Sequence, residues 1–197
     1  MFAGVFPPFF QFPCLCLNLV HCVNASSRSS FLVGPIISSP GSAAIDNKKR
    51  VYFAGPDMLS TAGGQRYQHF MIKAAGGINV AQSSKEGWSG ITLEQLINWD
   101  PQVIIVADYC SSTPKSFLTD PRLKEIQAVK TDNVFKVPSF ILSWDVPSPE
   151  SLLGIMWLSN TLYPSTINFN LKKTIKKFYS SMYDYNPSNS ELSTILD

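Results

Sequence analysis

Four carboxylates, Asp57, Glu94, Asp108 and Asp145, fall in or beside segments that read as loops, where acid–base chemistry would need them. Such chemistry also requires a nucleophile, a base and an orienting acid brought together. Only two histidines are available, His21 and His69, and His69 falls within a helical pattern. No serine occupies a G-x-S-x-G elbow. Cys14 and Cys16 are too close for an ordinary zinc pair, and Cys110 stands alone near a strand end, so no metal-binding constellation forms. The pairs Gly63-Gly64 and Gly76-Gly77 read as turn and helix-stop glycines without the G-x-G-x-x-G string of a nucleotide site. Catalysis, a cofactor and a metal site are therefore not expected. Pairing among the carboxylates cannot be read from spacing, which keeps a small α/β enzyme as a competing class beside a stand-alone interaction domain.

The elements that must position these residues alternate in type. Arg50–Ala54 is a short β-branched and aromatic strand, and Gln65–Ala75 has helical spacing stopped by Gly76-Gly77. Ile78–Ala81 is a shorter strand. Thr92–Trp99 reads as a helix with Thr92 as cap and Gln95 completing a capping box. Gln102–Ala107 is the clearest strand, a continuous apolar run that suits a sheet covered on both faces. A helix over Leu123–Val129 and a strand over Asn133–Val137 follow. Ser148-Pro149-Glu150 reads as a capped helix start, continued by the apolar run Leu152–Tyr163. Asn170–Met182 carries Leu171, Ile175, Phe178 and Met182 on one face and Lys172, Lys173, Lys176 and Lys177 on another, a solvated helix face. Glu191–Leu196 adds one last turn.

Strands separated by helices imply an α/β three-layer sandwich: a mostly parallel sheet with helices on both faces. Ligands of such sheets gather in the loops after the carboxyl ends of the strands. Here those loops carry Trp88, Tyr109 and Trp144, aromatic side chains that lose apolar burial unless something covers them. Their basic residues are few, Lys85 and Lys115. Trp99 and Trp157 lie in apolar helical patterns and are expected in the core.

Charge divides the chain. All charged side chains except Arg28 and Asp46 lie beyond position 46, and the net charge is +2. That balance argues against a nucleic-acid partner. No apolar stretch is long enough for a spanning helix. Residues 1–46 hold a short apolar stretch, Cys14–Val23, but no Lys or Arg precedes it and Pro7, Pro8 and Pro13 break any helical h-region. They read as a disordered leader or a weak signal-like segment, and residues 47–197 as the folded unit.

From Lys48 to about Leu196 the chain resembles the C-terminal lobe of an ABC-transporter substrate-binding protein of the iron-siderophore and vitamin B12 class. The strings that carry the resemblance are Thr61-Ala-Gly-Gly64, Ala75-Gly-Gly-Ile-Asn-Val-Ala81 and Leu93-Glu-Gln-Leu-Ile-Asn-Trp-Asp-Pro-Gln-Val-Ile-Ile-Val106. Ile126-Gln-Ala-Val-Lys130, Val134-Phe-Lys-Val-Pro138 and Ser143-Trp-Asp-Val-Pro-Ser-Pro-Glu-Ser-Leu-Leu-Gly154 continue it in order. The resemblance implies two α/β lobes joined by one long helix, a metal chelate between them and no catalytic residues. It implies a monomer in the periplasm or another extracytoplasmic space, with or without a membrane anchor, delivering a siderophore, a corrinoid or a haem-like chelate to an ABC permease in the membrane. In the vitamin B12-binding relatives a tryptophan six residues before a glutamate contacts ligand while the glutamate meets the permease. Trp88 and Glu94 match that spacing, which implies ligand contact for Trp88 and docking for Glu94. Trp144 and Tyr109 are further candidate ligand contacts by loop position. The N-terminal lobe and bridging helix have no counterpart here, so a truncated reading frame with weakened ligand binding is expected.

Overall fold

Four apolar strand residues in a row, Val103–Val106, are buried inside the sheet, and the following Ala107 is buried with them. The computed structural model describes residues 47–84 and 87–196, within the unit Pro40–Asp197. The readings made for residues 1–46 and for Lys85 lie outside the described residues. Strands β1 (Arg50–Ala54), β2 (Ser60–Ala62), β3 (Ile78–Asn79), β4 (Trp88–Gly90), β5 (Val103–Val106) and β6 (Val134–Lys136) form one sheet in the order β4-β2-β1-β5-β6, with β3 also on β1. β5 is parallel to β1 in the register Tyr52↔Ile104 and to β6 in the register Ile105↔Phe135. β3 joins β1 in parallel, whereas β2 and β4 extend the sheet antiparallel beyond the end of β1.

Seven helices connect and cover these strands among the described residues: α1 (Tyr67–Ala74), α2 (Leu93–Trp99), α3 (Pro114–Thr119), α4 (Gln127–Lys130), α5 (Ser151–Leu162), α6 (Leu171–Tyr183) and α7 (Asn189–Leu196). Alternation along the strands serves both faces. Tyr52, Ala54, Ile104 and Val106 pack with Leu96, Phe117, Leu123 and Ile126. Val51 meets Ile72 of α1 and Leu162 of α5 around Gly77 on the opposite face. The three-layer architecture is thus the one expected. Trp157 is buried in α5, while Trp99 packs at the margin of the first core, its ring 6.3 Å from that of Tyr52.

Several helix starts follow local chemistry. Thr92 accepts from the Gln95 amide, and Asn170 accepts from the Lys173 amide. The short helix α3 has a full capping box between Thr113 and Ser116 with Pro114 in its first turn. Thr113→Ala is expected to cost about 1 kcal/mol of stability, read from the shift of the denaturant midpoint. An unchanged midpoint would show that tertiary contacts alone hold α3.

Other starts differ from expectation. Only Gln127–Lys130 is helical in the segment read as a helix over Leu123–Val129. Ser148 does not cap α5, which begins at Ser151 after Glu150. The physical reason is burial: Glu150 is fully enclosed and its Oε1 accepts from the Tyr183 hydroxyl of α6 at 2.9 Å. The last turn read at Glu191 is an eight-residue helix whose Leu192 and Ile195 are buried.

Candidate functional site

Parallel β1, β5 and β6 end at the same sheet edge, and their following loops converge there. β4 runs alongside and delivers Trp88 to that edge. The Trp88 ring lies over the backbone of Gly55, at the end of β1, so closely that a Cβ on Gly55 would stand 2.2 Å from a ring carbon. Glycine there is a condition for the ring's position. Beneath it Phe53 is stacked at a centroid distance of 6.3 Å, and Tyr109 meets it edge-on at 6.3 Å. The Arg66 guanidinium lies 4.4 Å from the Trp88 ring centroid, a cation–π contact.

The sequence around Arg66 carries no local signal of this contact. Arg66 occupies the N-cap position of α1, gives the helix no side-chain cap, and lies 22 residues before Trp88 by their numbers, beyond any periodic pattern. Its Nε is buried and has no hydrogen-bond partner among the described residues. Asp108 Oδ1 is in the same condition. The guanidinium's positive charge on this aromatic wall can attract a negatively charged solute.

Tyr109 stands 43% exposed with its hydroxyl turned inward. That hydroxyl donates to Asp145 Oδ2 at 2.7 Å. Burial, and then the Asp145 carboxylate, push it well above the usual phenol range. Asp145 itself is fully buried, with Gln68 Nε2 donating to its Oδ2 and to its backbone carbonyl, and the Ser143 hydroxyl donating to Oδ1. Trp88 and Tyr109, two residues expected at the site, are therefore brought together.

Trp144 is not brought to them. It has no exposed surface, and α5 approaches its carbonyl through Gly154. A fully enclosed ring offers nothing to a solute as it stands, so the loop aromatic that read as a cleft wall is part of the core. Glu94 is exposed in the first turn of α2, where its own backbone N–H and the Thr92 hydroxyl hold its carboxyl below the usual range. His69 lies in α1, and burial together with Lys73 lowers its pKa. Among the described residues, no group of three His, Cys, Asp or Glu side chains could hold a metal ion.

A two-sided, mostly parallel sheet with an aromatic and cationic group at its carboxyl edge is the lobe architecture of a solute-binding protein. The chain belongs to the periplasmic binding protein family, whose model matches residues 40–140. It is 35% identical over 154 residues to the molybdate-binding protein MolA of Haemophilus influenzae, an alignment covering 76% of this chain and 44% of that protein. A periplasmic solute-binding protein from Veillonella parvula matches with a TM-score of 0.75 and 28% identity, over 91% of this chain and 54% of that one. MolA bound to molybdate matches with a TM-score of 0.68 and 31% identity, over 87% of this chain and 51% of that one. The chain thus spans about half the length of these relatives, the share that a C-terminal lobe of a two-lobe protein would occupy. Family and neighbours are solute-binding transport proteins rather than enzymes. No described helix is long and apolar enough to cross a membrane.

Proposed function

We propose that this chain is the C-terminal lobe of the solute-binding component of an ABC importer, and that its solute is an anionic, metal-bearing species. Residues 47–197 supply the lobe, Trp88 and Tyr109 its aromatic contact surface, Arg66 its positive charge, and Glu94 the carboxylate that meets the permease. The observation that carries the reading is the Arg66 guanidinium, stacked on Trp88 beside the partly exposed Tyr109 ring. Hydrogen bonds from a charged donor to an anion are stronger than neutral ones and fix orientation.

Two solute classes share this chemistry: a metal oxyanion and an anionic metal chelate. The molybdate bound by MolA supports the first, and the aromatic surface suits the planar ligands of the second. A neutral corrinoid would leave Arg66 without a partner. Tryptophan fluorescence of the full chain, titrated with molybdate, a ferric catecholate and cyanocobalamin, separates them. An anion is expected to quench Trp88, with the change absent in Trp88→Phe and weakened by salt. Quenching by cyanocobalamin alone, or by none of the three at millimolar concentration, would overturn the reading.

A further inference from the structure

The hydroxyl of Tyr109 is committed elsewhere, and this limits what the site can bind. Asp145 has the Tyr109 hydroxyl and Gln68 Nε2 on Oδ2 and the Ser143 hydroxyl on Oδ1, with no exposed surface. The residue before it, Trp144, is locked in the core, and Gly154 of α5 stands against the Trp144 carbonyl. The acceptor for Tyr109 therefore comes from a rigid part of the fold, while the Tyr109 ring stands partly in solvent against Trp88. A side chain held this way keeps one rotamer, and a supporting group of this kind is what makes a contact residue effective.

We infer that Asp145 is the positioning residue of the site: it holds the Tyr109 hydroxyl and sets the ring edge-on to Trp88, so that Tyr109 meets a solute through its ring and not as a phenolate ligand to the solute's metal. Together with the anionic reading above, on which it rests, this narrows the solute to one whose metal is already fully coordinated, such as an oxyanion or a complete chelate. Tyrosine ligates a metal with open coordination positions as a phenolate, and this hydroxyl already donates to a buried carboxylate. The charged groups that act on Tyr109 are Asp145, Arg66 and Asp108; both carboxylates raise its pKa and the guanidinium lowers it. The two carboxylates act against phenolate formation.

The test uses the full chain with Asp145→Ala, Asp145→Asn and Tyr109→Phe. Asparagine can still accept from Tyr109 and Gln68 through its carbonyl and donate to Ser143, so Asp145→Asn remains informative if the alanine variant fails to fold. Ultraviolet titration, as the difference from Tyr109→Phe, is expected to show Tyr109 ionising above the ordinary range in wild type and closer to it in Asp145→Ala. Molybdate affinity is expected to fall about tenfold in Asp145→Ala and to be kept in Asp145→Asn. Ferric nitrilotriacetate, which has open coordination positions, is expected to give no phenolate-to-iron absorption band in wild type. Such a band in wild type, lost in Tyr109→Phe, would overturn the inference, as would a Tyr109 titration indifferent to Asp145. A titration that moves as expected in a protein that binds no molybdate or ferric chelate would uphold the positioning role and sink the anionic-solute reading instead.

Discussion

Gly154→Ala is expected to destabilise the fold by about 3 kcal/mol, against the ordinary preference for alanine in a helix. Gly154 lies inside α5, where glycine costs about 1 kcal/mol relative to alanine, so the exchange alone should stabilise. The obstacle is the Trp144 carbonyl. An added Cβ would stand 2.3 Å from that oxygen and 3.1 Å from the Trp144 Cβ. A backbone carbonyl cannot rotate away as a long side chain can, and Trp144 is anchored by its buried ring and by its amide on Pro138 O at 3.1 Å. Helix and loop must part, which opens packed surface and shifts Asp145. A melting temperature lower by roughly 6–12 °C is expected for a chain of this size. Gly90→Ala is the control, because nothing lies within 4 Å of its added Cβ, and its effect should stay within about 0.5 kcal/mol. A melting temperature for Gly154→Ala equal to or above that of wild type would show that α5 can yield at this contact.

The same contact explains why Trp144 was misleading as a sequence feature. A tryptophan between a strand end and a helix start has the local signature of a site aromatic, and nothing nearby announces its burial. What buries it is the approach of α5 through a glycine ten positions further on. By contrast β5 and the helix face of α6 were legible because each carries its own pattern: an unbroken apolar run in one, and apolar side chains at helical spacing opposite lysines in the other. The strands β2 and β4 carry none. Ser60-Thr-Ala62 is extended because it pairs with the end of β1, and Trp88-Ser-Gly90 because it pairs with Ser60–Ala62 in turn. Strand state there is a tertiary property.

The site divides in the same way. Trp88 and Tyr109 were candidates from the family spacing to Glu94 and from loop position, and the structure brings their rings together, although Trp88 stands on β4 and not in a loop. The contacts of Arg66 and Asp145 have no such local signal. Each acquires its meaning from a partner on another element, Arg66 from Trp88 on β4 and Asp145 from Gln68 on α1 and Tyr109 after β5. Ser148 illustrates the converse: a sound local cap signal that yields when the neighbouring carboxylate Glu150 is drawn inward to Tyr183.

Arg66→Ala is expected to weaken binding of an anionic solute by about ten- to a hundredfold, the largest effect of any single change at the site. Hydrogen bonds that involve a charged group contribute roughly 1.5–3 kcal/mol, which corresponds to that range of affinity. The fold should hardly notice the change. Arg66 provides no side-chain cap to α1, and its contact with Trp88 is worth only about 0.5–1 kcal/mol where partly exposed. Affinity and stability thus separate at this position. Arg66→Lys refines the argument. Lysine keeps the charge and loses the planar fork and much of the stacking on Trp88, so it should recover only part of the affinity. Equal recovery by lysine would mean that charge alone is read; none would mean that the guanidinium's geometry is required. Molybdate titrations of the three proteins, with melting curves alongside, decide among these. If Arg66→Ala binds molybdate and a ferric catecholate as wild type does, the positive charge on the aromatic surface has no part in recognising the solute.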